Sequence, residues 1–141
     1  MADFTKLFEQ IKATNLVKDS DLLICHEAPN PSAYYWGGLI GAAISEDLSS
    51  TSHFVLAFEN DTIYLFDIDV FNAKYLGTVI EIPFTDIKRI GISTFITKEI
   101  YILTKQKTSL RVVFSNKYHP LKQKEAIKRT FKALKDRKKR K

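Results

Sequence analysis

The sequence predicts an α+β domain that is mainly β: a seven-stranded antiparallel barrel, capped by a C-terminal amphipathic helix and carrying an extra N-terminal helix. Seven short runs with strand character precede one long run with helical periodicity. A helix placed last in such an order is typical of one that closes the end of a small barrel. The chain of 141 residues, 45% of them hydrophobic, is large enough for one compact domain with a substantial core.

The first predicted element is a helix over residues 3–14, with Asp3 as its N-cap. Its periodicity comes from four apolar residues, Phe4, Leu7, Phe8 and Ile11. We assign residues 1–18 to this helical segment. Its apolar stripe belongs either to the core or to a contact with a neighbouring subunit, so Phe4 and Phe8 are interface candidates.

The first strand is predicted at Leu22–His26, before the Pro29-Asn30-Pro31 breaker. Residues 33–45 are rich in tyrosine, glycine and alanine, and their glycines leave a short buried helix and a packed loop equally open. We treat residues 28–52 as an insertion in the domain.

A β-hairpin gives the firmest local prediction. Phe54, Leu56 and Phe58 alternate along one strand, and Thr62–Ile68 returns after a tight turn at residues 60–61. Four further strands follow, predicted at Tyr75–Ile82, Ile87–Ser93, Glu99–Thr104 and Ser109–Phe114.

The final predicted element is a helix over residues 120–137, with one narrow apolar stripe formed by Ile127, Phe131 and Leu134. The barrel domain therefore covers residues 19–137. Residues 138–141 form a basic tail.

The location predicted from composition is the cytoplasm. The single cysteine, Cys25, excludes an intramolecular disulfide, and charges interrupt the N-terminus where a signal peptide needs an apolar segment. The longest charge-free apolar stretch, residues 33–45, falls short of the roughly 20 residues that a spanning helix needs.

The order of motifs resembles the bacterial branch of the pleckstrin-homology-like (PH-like, GRAM-type) family over roughly residues 20–137. Three features carry the resemblance: the hairpin HFVLAFENDTIYLFDID at 53–69, the segment GTVIEIPFTDIKRIGI at 77–92, and the terminal helix. The resemblance implies binding along sheet edges or at the helix rather than catalysis. One departure is that the only tryptophan is Trp36, so that Phe131 takes the apolar position in the terminal helix.

Charge is distributed unevenly along the chain. Residues 19–73 carry nine carboxylates and no lysine or arginine, whereas residues 117–141 have a net charge of +10. Family members that bind phosphoinositides use cations around the loop between the first two strands, because several phosphates need several cationic donors. We therefore do not expect specific phosphoinositide binding at that position.

The basic C-terminal helix is a candidate site for a polyanion, either nucleic acid or an anionic membrane surface. Its candidate residues are Lys124, Lys128, Arg129, Lys132 and Lys135. The alternative is a solvated helix face without a partner. Phe131 is the only aromatic residue among the cations of this helix that could stack on bases, and it is required for the core.

The aromatic residues Tyr34, Tyr35 and Trp36 are further interface candidates, because aromatic side chains beside small residues often mark contacts. Packing of the insertion against the barrel is the alternative. Complementary charge on residues 19–73 and on the tail favours a salt-sensitive homo-oligomer, with intramolecular pairing as the competing outcome. The first functional hypothesis is thus a protein-interaction or self-assembly module, and polyanion binding is the second.

No enzyme, cofactor or metal is expected. Cys25, His26 and Glu27 are adjacent, but neighbours in a strand point to opposite faces and cannot converge on one ion. Asp67 and Asp69 resemble the start of a calcium loop, yet Phe71 occupies the next ligand position. The sequence shows no nucleophile and base pair and no phosphate loop.

Overall fold

The computed structural model describes residues 4–27, 53–94, 98–114 and 123–140. Two helices are present in these ranges, α1 (Phe4–Lys12) and α2 (Gln123–Arg140). The strands are β1 (Leu23–Glu27), β2 (His53–Glu59), β3 (Thr62–Asp69), β4 (Lys74–Pro83), β5 (Ile87–Ser93), β6 (Lys98–Thr104) and β7 (Ser109–Phe114). The predicted N-cap Asp3, the insertion 28–52 and its aromatic candidates Tyr34, Tyr35 and Trp36 lie outside the described residues.

All seven strands form one antiparallel sheet in the order β4-β3-β2-β1-β7-β6-β5. The hairpin predicted between β2 and β3 is confirmed. Asn60 and Asp61 both have positive φ, 54° and 58°, which is the backbone of the turn whose twist matches the flanking strands. The mainly β, α+β class follows directly from this arrangement.

The predicted barrel is not closed. Within the described ranges β4 and β5 are the outermost strands, and each has a single neighbour in the sheet. A short 3-10 helix, Phe84–Asp86, joins them, so the chain turns a corner there instead of forming a hairpin. The N–H of Phe84 donates to the Asp61 carbonyl (2.8 Å), and the N–H of Lys105 donates to the Asp86 carbonyl (2.9 Å). The first bond holds the corner against the β2–β3 turn and the second holds it beside the end of β6, with which β5 pairs.

One face of the sheet forms what we call the inner core, to which all seven strands and α2 contribute. Phe54, Leu56, Ile82, Ile102, Val112, Phe131 and Leu134 are buried in it, and Phe58 and Ile87 pack against it partly exposed. Alternation along the strands and the apolar stripe of the terminal helix predict that these nine residues share one core, and the structure confirms it.

The opposite face of β1–β4 carries an outer core that α1 covers. Phe4, Leu7 and Ile11 of α1 are buried there, against residues such as Val55 and Phe66 of the sheet. α1 ends before Asn15, whose φ of 64° is the left-handed conformation that commonly terminates helices. Phe4 therefore lies inside the core of its own chain, which was the alternative to its role as an interface residue.

A carboxylate clamp fixes the segment between α1 and β1. The Glu59 carboxylate accepts the N–H groups of Lys18, Asp19 and Ser20 at 2.9–3.0 Å. Desolvation acts to raise the pKa of Glu59, but these hydrogen bonds outweigh it and the pKa is lowered. The Gln10 side chain also accepts the N–H of Tyr75, so α1 is tied to β4 as well.

Candidate functional site

The C-terminal helix is anchored to the sheet at its first residue. The side-chain amide of Gln123 donates to the carbonyl of Ile24 (2.8 Å) and accepts the N–H of Ile24 (3.1 Å). The amide thereby makes the two hydrogen bonds that a neighbouring strand would make to Ile24. Further along α2 the Phe131 ring packs edge-on against Phe114, with centroids 5.3 Å apart. These contacts determine which flank of α2 faces the sheet and which faces solvent.

Five lysines of α2 lie on one flank of the helix. At about 100° per residue, their positions span an arc of about 80°, and at about 1.5 Å per residue the series is about 22 Å long. We call this series the lysine row; its members are Lys124, Lys128, Lys132, Lys135 and Lys139. All five are exposed, because the buried stripe of α2 lies on a different side.

A groove of about 560 Å³ runs between the lysine row and the sheet. On the sheet side it is lined by Thr94, just after β5, and by Lys98, the first residue of β6. On the helix side Asp136 is the one carboxylate among the described residues that line it, against five lysines counting Lys98. The groove therefore has cationic groups on both walls.

Most of these lysines have no anionic partner in the described part of the chain. Lys128 approaches Glu125 at 3.7 Å, but both side chains are exposed, and such a pair contributes little. Lys98, Lys132 and Lys135 form no ion pair with any described residue. A row of like charges is mutually repulsive, and the described carboxylates Glu125 and Asp136 of α2 offset only part of this repulsion.

The arginines of α2 behave differently from the lysines. Arg129 donates two hydrogen bonds to Asp21, both 2.9 Å long, and this contact raises its pKa. Arg137 donates to both carboxylate oxygens of Asp61, and its guanidinium lies 4.6 Å from the ring centroid of Phe84. Both arginines hold α2 against the sheet through planar, two-pronged contacts that lysine cannot make.

Arg129 is thus separated from the other four predicted polyanion residues. The sequence placed it with Lys124, Lys128, Lys132 and Lys135, but it lies on another flank and is engaged with Asp21. The pairs to Asp21 and Asp61 also join the acidic segment 19–73 to the basic C-terminal helix within one chain. Intramolecular pairing was the competing outcome to head-to-tail assembly, and it occurs at these two positions.

Phe8, the other interface candidate on α1, is half-buried. It lines a second groove of about 530 Å³ between α1 and α2, together with Leu22, Ala126 and Arg129. This groove carries charges of both signs, because Glu9, Lys12 and Asp21 also line it. It offers no single chemistry to a ligand.

The residues that suggested a metal site do not converge. Cys25 lies in the inner core and burial raises the pKa of its thiol, whereas His26 follows it on the opposite face. The His26 ring lies opposite His53 of β2, with centroids 6.0 Å apart, and burial followed by the charge of His53 lowers the His26 pKa. In the described ranges no three potential ligands are placed to hold a metal ion.

Two features of the surface escaped the sequence analysis. Lys98 joins the lysine row across the groove, although it is far from the row in sequence. The edge strand β4 and the turn before it expose three large apolar residues, Phe71, Leu76 and Ile80, of which Leu76 is 53% exposed. A signal for the second feature was present, since apolar residues occur on both faces of β4.

No protein-family model matches the chain, and no curated protein or solved structure matches it either. None of the described helices combines the length and apolar character needed to cross a membrane.

Proposed function

We propose that this chain is a non-enzymatic PH-like binding module that holds a polyanionic partner in the groove beside the lysine row. The observation that carries the proposal is the cationic lining on both walls, with Lys98, Lys132 and Lys135 lacking any ion pair to a described residue. The order of seven strands and a final helix supports the PH-like part of the proposal.

Electrostatics favours a bound polyanion over a merely solvated helix face. Residues four apart in a helix are about 6 Å apart along its axis, and two ammonium groups at that separation repel by about 0.7 kcal/mol in bulk water. A solvated face would gain from alternating signs, as at exposed helix surfaces where oppositely charged residues lie three or four positions apart. In α2 the two carboxylates at such spacings, Glu125 and Asp136, are outnumbered by the lysines of the row, and four of those lysines line the groove.

The test compares two variants with the same net charge. In one, Lys128, Lys132 and Lys135 are replaced by glutamine; in the matched control, the exposed residues Lys6, Lys88 and Lys105 are replaced instead. The row variant should elute from immobilised heparin at clearly lower salt than the control. Equal elution of the two variants would mean that net charge, and not this groove, drives binding.

A second candidate function is protein interaction at the edge of the sheet, which the exposed residues Leu76 and Ile80 of β4 favour. An edge strand presents unpaired backbone groups, and only Lys74 and Glu81 provide charge along β4. Sedimentation equilibrium of the parent chain and of an Ile80→Lys variant tests it. Association that persists at high salt and disappears in the variant would support this candidate, and a monomeric parent chain would exclude self-assembly through β4.

A further inference from the structure

The groove has a wall on each side, unlike a flat basic patch, and this shape limits which polyanions can reach its lysines. The lysine row lies on one flank of α2 and faces Lys98 across the groove. The outermost face of α2, opposite its buried stripe, carries Glu125 and Asp136 beside Lys132, as the rotation of about 100° per residue requires. A planar anionic surface that approaches α2 from solvent meets these two carboxylates.

A narrow chain of phosphates that lies lengthwise between the two walls of the groove avoids Glu125, which does not line it, and meets five lysines against the single carboxylate Asp136. The row lysines are three or four residues apart, which places successive cations about 4.5–6 Å apart along the helix axis. Contacts with successive phosphates of one strand are therefore geometrically available.

Among the described residues that line the groove, none supports base recognition. Phe131 is the one aromatic residue among the described residues that line it, and its ring is 3% exposed and packed against Phe114. Proteins that bind single strands through bases use exposed aromatic rings as stacking platforms. For the described lining residues, contact with a nucleic acid therefore goes through phosphates.

We infer that the groove beside the lysine row binds an extended single strand of nucleic acid through its phosphates, without reading its bases. This inference rests on the proposed function, since it names the partner of the same site. Five lysines line the groove. With about 0.7 counterions released per phosphate neutralised on a single strand, the slope of log K against log salt should be about −3.5.

The experiment measures fluorescence anisotropy of a labelled oligothymidylate of about 20 nucleotides, which is longer than the lysine row. Affinity should fall about 100-fold between about 50 and 200 mM salt. Replacement of Lys128, Lys132 and Lys135 by glutamine should reduce the slope to about −1.4, while the Lys6, Lys88 and Lys105 control should keep the parent slope. An abasic strand of equal length should bind as tightly as the oligothymidylate.

Three further arms separate failure of the inference from failure of the proposed function. Binding to vesicles with about one-third phosphatidylserine but not to the oligonucleotide would overturn the inference and leave polyanion binding intact. Loss of binding to the abasic strand, or tighter binding to a duplex of equal length, would overturn the phosphate-only, single-strand assignment. Absence of binding to oligonucleotide, vesicles and heparin alike at low salt would overturn both.

Discussion

Truncation of Phe131 to alanine tests whether α2 is an integral part of the core. The Phe131 side chain is 3% exposed, so the substitution removes an almost completely buried ring. A loss of about 3–5 kcal/mol in the free energy of unfolding is expected for Phe→Ala at such a site. The edge-on contact with Phe114 at 5.3 Å accounts for about 0.5–1.5 kcal/mol of it.

Urea denaturation followed by circular dichroism measures this loss. With a slope of about 2 kcal/mol per molar urea, the midpoint should fall by about 2 M. Lys132→Ala, on the exposed flank of the same helix, is the control and should change stability by less than about 0.5 kcal/mol. Phe131→Leu should cost about 1 kcal/mol, which keeps the comparison measurable if the alanine variant fails to fold. A loss below about 1 kcal/mol for Phe131→Ala would show that α2 is an appendage and that the inner core does not include it.

Three other outcomes are expected. Gln123→Leu should cost about 1–3 kcal/mol in urea denaturation, because the buried N–H and carbonyl of Ile24 lose their partner; an unchanged midpoint would contradict this anchoring role. Because the pKa of His26 is lowered from 6.5, the folded state binds its proton less readily than the unfolded state does; stability should therefore decrease as pH falls below about 6.5. His26→Gln should reduce the decrease measured between about pH 6.5 and 5.5, and an identical decrease in the variant would assign it to other groups. Soluble inositol phosphates should show no isomer-selective, saturable binding in calorimetry, because residues 19–73 supply no lysine or arginine; tight stoichiometric binding of one isomer would refute this.

Most of the candidate site was accessible from the sequence, because helical periodicity alone predicts that Lys124, Lys128, Lys132 and Lys135 share one flank of a helix. Lys98 was not accessible. It reaches the groove only because β6 begins beside α2, and no local pattern encodes that proximity. The sequence grouped Arg129 with these lysines because their charges are alike, whereas in the structure Arg129 pairs with Asp21, 108 residues away.

The sequence by itself determined which segments form strands and helices and which of their faces are apolar, because alternation and helical spacing are local properties of the chain. The β2–β3 turn is the clearest instance, since Asn60 and Asp61 tolerate the positive φ that the hairpin requires. Only the tertiary structure decided whether the sheet closes, where α1 packs, and which cations of α2 are neutralised. Those outcomes depend on contacts between residues far apart in sequence, such as Arg137 with Asp61 and Gln123 with Ile24. The free energy of such contacts is a property of the assembled fold, so no segment of the chain specifies it alone.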